Sequence, residues 1–206
     1  MTNLTGWGED ERGVFSANSF RWRYLPKFNK KLLNFVVKSF WDEFDLENLK
    51  PHELHEYLGQ KGLLNMYIRT PKLGADVFYD KVMYMVSAPN AGVQNIHTDK
   101  SRDFSINFPI QVDPIKGCYL CGKYTEYYKY DQLDPLYLEH GPEGPTYQFG
   151  YRENDFEKVS IDKPVILNTK IPHTWENFSD EYRVMGSIFM KETNLDKALK
   201  ILEPWM

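Results

Sequence analysis

The sequence predicts a mainly β domain flanked by helices, of sandwich, jelly-roll or barrel type. Three observations carry this reading. Short runs rich in β-branched and aromatic residues recur from Leu64 to Met190, at spacings of about 8–12 residues. Turn residues such as Pro71, Pro89-Asn90, Pro114, Gly117, Pro142 and Asp162 separate them. Helical periodicity is confined to the front of the chain and to a short stretch at its end.

Taken in order, the first element is an amphipathic helix over about Lys27 to Phe44. Phe28, Leu32, Leu33, Phe35, Val36, Val37, Phe40, Trp41 and Phe44 recur at helical spacing, with Lys30, Lys31, Asn34, Lys38 and Asp42 filling much of the other side. A short helix follows from Pro51, a residue suited to the first helical position, to Gly59 or Gly62. Strands are then expected over Leu64–Arg69, Lys81–Val86, Phe104–Val112, Cys118–Tyr130, Pro145–Tyr151, Phe156–Ile161, Pro164–Asn168 and Tyr182–Met190. A last helix over Asn194–Leu202 precedes Pro204. The 206 residues are expected to form one domain: a helical front end over about 1–62, a β core over about 63–192 and a C-terminal helix over about 194–203. Between 113 and 155 lies a Gly/Pro-interrupted insertion holding Tyr119, Tyr124, Tyr127, Tyr128, Tyr130, Tyr137, Tyr147 and Tyr151, read as a lid or as a hairpin covering the sheet.

Composition removes several classes of function. Hydrophobic residues at 42% and charged residues at 26% make a globular balance. A net charge of −4 gives no overall positive field for a phosphate backbone, which argues against a duplex nucleic acid partner. The apolar stretch 32–44 is broken by Asn34, Lys38, Ser39, Asp42 and Glu43, so no membrane span is expected. The first residues lack a signal peptide's regions, and two cysteines make no disulfide framework. The expected location is cytoplasmic.

Candidate chemistry begins with the five histidines at 52, 55, 97, 140 and 173. His97-Thr98-Asp99 sets an imidazole and a carboxylate two residues apart, which on extended backbone share a face and can hold one metal ion. His173 follows the apolar strand 164–168, and Arg183 opens another, Val184-Met185-Gly186-Ser187-Ile188-Phe189. If these two strands form a hairpin turning at Asp180, Arg183 lies opposite Asn177, which shares a face with His173. Four residues of strand span about 13 Å, which leaves room for a five-carbon diacid between a metal and the guanidinium.

This ordered set, His97-x-Asp99, then His173, then Arg183 ten positions on, resembles the iron(II)/2-oxoglutarate-dependent dioxygenases of the double-stranded β-helix (jelly-roll, cupin-like) fold. The resemblance covers about Val82 to Met190, with the front helices buttressing the barrel. It implies Fe(II) held by His97, Asp99 and His173, and 2-oxoglutarate anchored by Arg183. It also implies O2 as oxidant, succinate and CO2 as products, and hydroxylation of a further substrate, for which a small molecule or peptide is favoured. Many members carry a serine two residues after the arginine, where this chain has Met185. Ser187, Ser105 and Asn107 are the candidates to assist Arg183.

Two other readings stand beside this one. The same fold can be a cupin-like module that binds a metal or ligand without oxidising anything. Cys118, Cys121 and His140 could contribute to a structural zinc site. His52 and His55 lie three apart around Glu53 and do not make the metalloprotease motif.

Overall fold

The computed structural model describes residues 20–43, 63–69, 77–99, 102–123 and 153–206. The second short helix, the strand expected over Pro145–Tyr151, most of the tyrosine-rich insertion, and His52, His55 and His140 all lie outside the described residues. Among the described residues, ten strands form two sheets. They are β1 (Trp22–Tyr24), β2 (Leu63–Arg69), β3 (Phe78–Ser87), β4 (Gly92–Val93), β5 (Phe104–Gln111), β6 (Tyr119–Gly122), β7 (Phe156–Val159), β8 (Val165–Asn168), β9 (His173–Asn177) and β10 (Arg183–Met190). The larger sheet runs β1-β8-β5-β10-β3-β2 and the smaller β4-β9-β6-β7. Every pairing between them is antiparallel. This is the mainly β, double-stranded β-helix arrangement. It departs from the expected barrel in one respect: the sheets face each other without closing into a cylinder.

Side-chain alternation explains the layers. On the larger sheet, Val82, Tyr84, Val86, Phe104, Ile106, Phe108, Ile166, Val184 and Ile188 point outward to a helical layer. That layer is α1 (Lys30–Glu43) and α2 (Leu195–Leu202). Asn29 starts α1 by accepting hydrogen bonds from the Lys31 and Leu32 amides at 3.0 and 3.2 Å. Val36 and Phe40 are fully buried against the sheet, and the Tyr84 hydroxyl donates to the Val36 carbonyl at 3.0 Å. Phe35 and Trp41, expected in the packed stripe, are exposed, because they fall to the sides of the Val36–Phe40 row. Asn194 caps α2 through Lys197 N, and Leu195, Ala198 and Leu202 form its buried face.

The alternate residues point between the sheets. Met83, Met85, Val165, Leu167 and Met185 from the larger sheet meet Tyr119, Cys121, Val159 and Trp175 from the smaller. Ser105, Asn107, Arg183 and Ser187 share that interior face by the same alternation, and all are buried.

The assumed hairpin between His173 and Arg183 is not formed. β9 pairs with β4 and β6, whereas β10 pairs with β3 and β5, so the two strands belong to opposite sheets. Asn177 makes the corner: its Nδ2 donates to the Ala88 and Glu181 carbonyls at 2.7 and 3.0 Å, and its Oδ1 accepts from the Ser179 hydroxyl at 2.7 Å. A side chain that satisfies the turn's backbone lets the chain leave one sheet and enter the other.

Candidate metal centre

His97 and His173 sit directly opposite one another in an antiparallel bridge. Their backbones exchange both hydrogen bonds, at 2.9 and 2.8 Å, which brings the two rings to the same face with centroids 4.6 Å apart. Asp99, two residues along from His97, is pinned by its amide to the Thr169 carbonyl at 2.8 Å. The ligand atoms of His97, Asp99 and His173 lie within 4.8 Å of one another, the only such group of three found among the described residues.

Each imidazole is oriented by the carbonyl two residues before it. His97 Nδ1 is 2.9 Å from Asn95 O, and His173 Nδ1 is 2.8 Å from Ile171 O. With the proton on Nδ1, both Nε2 lone pairs are free, and they face Asp99 Oδ1 at 3.7 and 3.9 Å. Burial, assisted by the neighbouring His97, lowers the His173 pKa to about 4, so at neutral pH it is an uncharged ligand. Burial pushes the Asp99 carboxyl up, but Arg102, His173 and His97 outweigh it and hold the group below its ordinary range. Two imidazoles and one carboxylate therefore converge on one point. His97, with its side chain 24% exposed against 5% for His173 and 9% for Asp99, marks the side open to solvent.

Arg183 lies at the far end of the same interior. It is fully buried, with Nε donating to Gly117 O at 2.9 Å and Nη2 directed at Met185 Sδ at 3.4 Å. Among the described residues its Nη1 has no hydrogen-bond partner, nor do the buried Tyr119 hydroxyl and Asn107 Oδ1. Burial lowers the guanidinium to about 10, which still leaves it protonated at neutral pH. Trp175 spans the interval: its ring lies roughly perpendicular to that of His97 with centroids 6.2 Å apart, the Arg183 guanidinium lies 5.7 Å from its centroid, and its Nε1 donates to Ser87 Oγ.

The other expected helpers divide by position. Ser187 pairs with Asn107 across β10 and β5, and its hydroxyl is 3.5 Å from Arg102 Nη1, so both sit toward the Asp99 end. Ser187 is thus four residues, about 13 Å of strand, from Arg183. Ser105 is buried opposite Leu167, with the same inward orientation. Cys118 and Cys121, both free and buried, lie three apart in an extended run and so face opposite sides, which does not suit a shared zinc. Three residues join the site that the motif did not include. Trp175 and Tyr119 were legible only through alternation, as residues two from His173 and Cys121, and Arg102 only through its spacing of three from Asp99.

No protein-family model and no curated protein matches this chain. Among solved structures it is similar to the non-heme alpha ketoglutarate dependent carbocyclase SnoK from nogalamycin biosynthesis, at 14% identity and a TM-score of 0.44, covering 82% of this chain and 79% of that one. The epimerase SnoN, from the same biosynthesis and also described as non-heme and alpha ketoglutarate dependent, matches at 9% identity and 0.43, over 86% and 83%. HygX from Streptomyces hygroscopicus, with nickel and 2-oxoglutarate bound, matches at 10% identity and 0.42, over 90% and 82%.

Proposed function

We propose that this protein is a non-haem Fe(II)- and 2-oxoglutarate-dependent oxygenase that oxidises a C–H bond, with hydroxylation as the outcome. One observation carries the reading. A two-histidine, one-carboxylate donor set occupies one end of the interior, and a buried arginine with an unpaired donor occupies the other. A buried guanidinium left unpaired is costly, and a carboxylate relieves that cost. The donor set suits Fe(II), which with bound 2-oxoglutarate and O2 supplies oxidation of the substrate together with release of succinate and CO2.

The chain's own contributions follow from its geometry. His97 and His173 would hold the ion through Nε2 and Asp99 through Oδ1, all on one side, leaving the opposite side open. Arg183 would bind the distal carboxylate of the diacid through Nη1. Tyr119, whose ring stacks beside His173 with centroids 5.6 Å apart, carries a buried hydroxyl with no hydrogen-bond partner among the described residues and would assist in place of the missing serine at Met185. Trp175 and Met185 keep that interval dry, which strengthens the ion pair. The open edge at His97 is the approach for the primary substrate.

Anaerobic addition of Fe(II) and 2-oxoglutarate tests this directly. A weak visible charge-transfer band and slow conversion of 2-oxoglutarate to succinate in air are expected. A protein that binds metal through His97, Asp99 and His173 yet shows neither is instead a cupin-like binding module.

A further inference from the structure

The two oxygens of Asp99 are used differently. Oδ1 faces the two Nε2 atoms, whereas Oδ2 accepts a hydrogen bond from Arg102 Nε. Arg102 is itself held at several points. Its Nη1 reaches the Ser187 hydroxyl on β10, its guanidinium lies 5.2 Å from the centroid of Phe189, and its carbonyl accepts from the Thr169 hydroxyl at 2.8 Å. Thr169 also receives the Asp99 amide on its carbonyl, so one residue fixes the backbones of both partners.

Resting on the proposed metal centre, the geometry points to Arg102 as a positioning residue that confines Asp99 to ligation through one oxygen. The consequence is a count of coordination positions. Two imidazoles and one oxygen would occupy three positions of a six-coordinate ion and would leave three for a two-atom chelate and O2. A carboxylate free to swing and bind through both oxygens would take a fourth, and the chelating co-substrate would then fill what remains. Arg102 keeps that position open by occupying Oδ2, and it ties the carboxylate to the larger sheet, while His173 belongs to the smaller one and His97 is bridged to it.

The alternative role for a guanidinium here is competition, in which Arg102 neutralises Asp99 and must be displaced by the metal. The two roles predict opposite signs. Mn(II) binding to the full chain, read from the free-ion electron paramagnetic resonance signal, separates them. Arg102→Met should weaken Mn(II) binding by about 10–100-fold, the effect expected when a group orienting a ligand is lost. Arg102→Lys, which returns the charge and one donor without the planar fork, should recover part of that loss. In Fe(II)-saturated Arg102→Met, the 2-oxoglutarate concentration giving half the charge-transfer band should also rise.

Mn(II) affinity in Arg102→Met equal to or tighter than the parent's would overturn the proposal in favour of competition. If Arg102→Met gives no cooperative melt, Arg102→Lys decides alone: binding about tenfold weaker supports the role, and parent-like affinity removes it. Absence of Mn(II) binding by the parent is a different failure, that of the metal centre itself.

Discussion

His173 couples the protonation of the centre to the stability of the fold. An ordinary imidazole titrates near 6.5, and burial lowers this one to about 4. Between those values the unfolded chain binds a proton that the native chain does not, so stability falls as pH falls through that window. The metal-free protein should lose about 3 kcal/mol from this residue over that range. Urea unfolding of the parent and of His173→Gln across pH 4 to 7 checks the sign, since the variant lacks the titration and should show a flatter curve. Parallel curves would mean that His173 titrates alike in the native and unfolded chains. At the other end of the interior, Arg183→Met should bind Mn(II) like the parent while requiring far more 2-oxoglutarate, whereas His97→Ala should lose the metal outright. Titrations of each ligand alone distinguish the two variants. His97 and Asp99 could be paired from the sequence because spacing on extended backbone puts both on one face without any knowledge of strand pairing, whereas His173 and Arg183 were reached through the family resemblance. Alternation and spacing could mark Arg102, Tyr119 and Trp175 as neighbours of the site, but not their roles, which depend on which strands and side chains lie opposite.

At the scale of elements, legibility followed the amphipathic pattern. α1, α2, β5, β8 and β10 lie close to their expected bounds because one face meets an apolar layer. β9 was not among the enumerated strands and entered only as an arm of the assumed hairpin, because all five of its residues, including the polar Thr174, Glu176 and Asn177, are buried and no alternation of polarity marks it. The hairpin assumption failed at the same place, where the Asn177 side chain builds a corner that sequence distance alone does not reveal. β10 carries a further constraint at Gly186. A Cβ there would lie 2.1 Å from the Phe108 ring, which is registered opposite on β5 and fills the outer core. Gly186→Ala should therefore destabilise the fold by about 1–3 kcal/mol through overpacking. Pairing it with Phe108→Leu should cost less than the sum of the two single changes, as expected for residues that share one space. Strict additivity in denaturant melts would remove that contact as the cause.

Across the whole molecule, the centre sits where the two sheets come closest in chemistry. His173 belongs to the smaller sheet, and Arg102 links Asp99 to Ser187 on the larger. The sheets are not closed by backbone pairing, so side chains at this end carry part of the connection between them. A metal that joins His97, His173 and Asp99 binds the native arrangement and not the unfolded chain, and its free energy is then added to that of the fold. At a free metal concentration one hundred times its dissociation constant, the gain is about 2.7 kcal/mol. For a chain of this size that corresponds to a rise in Tm of about 5–11 °C. Addition of 2-oxoglutarate to the metal-loaded protein should raise Tm again if, as proposed, the diacid engages Arg183 on β10 as well as the metal. Arg183→Met should abolish only that second increment, and a chelator should reverse both. A second increment that survives in Arg183→Met would place the diacid elsewhere, on the ion alone, and the buried guanidinium would then serve the fold through Gly117 and Trp175 and not the co-substrate.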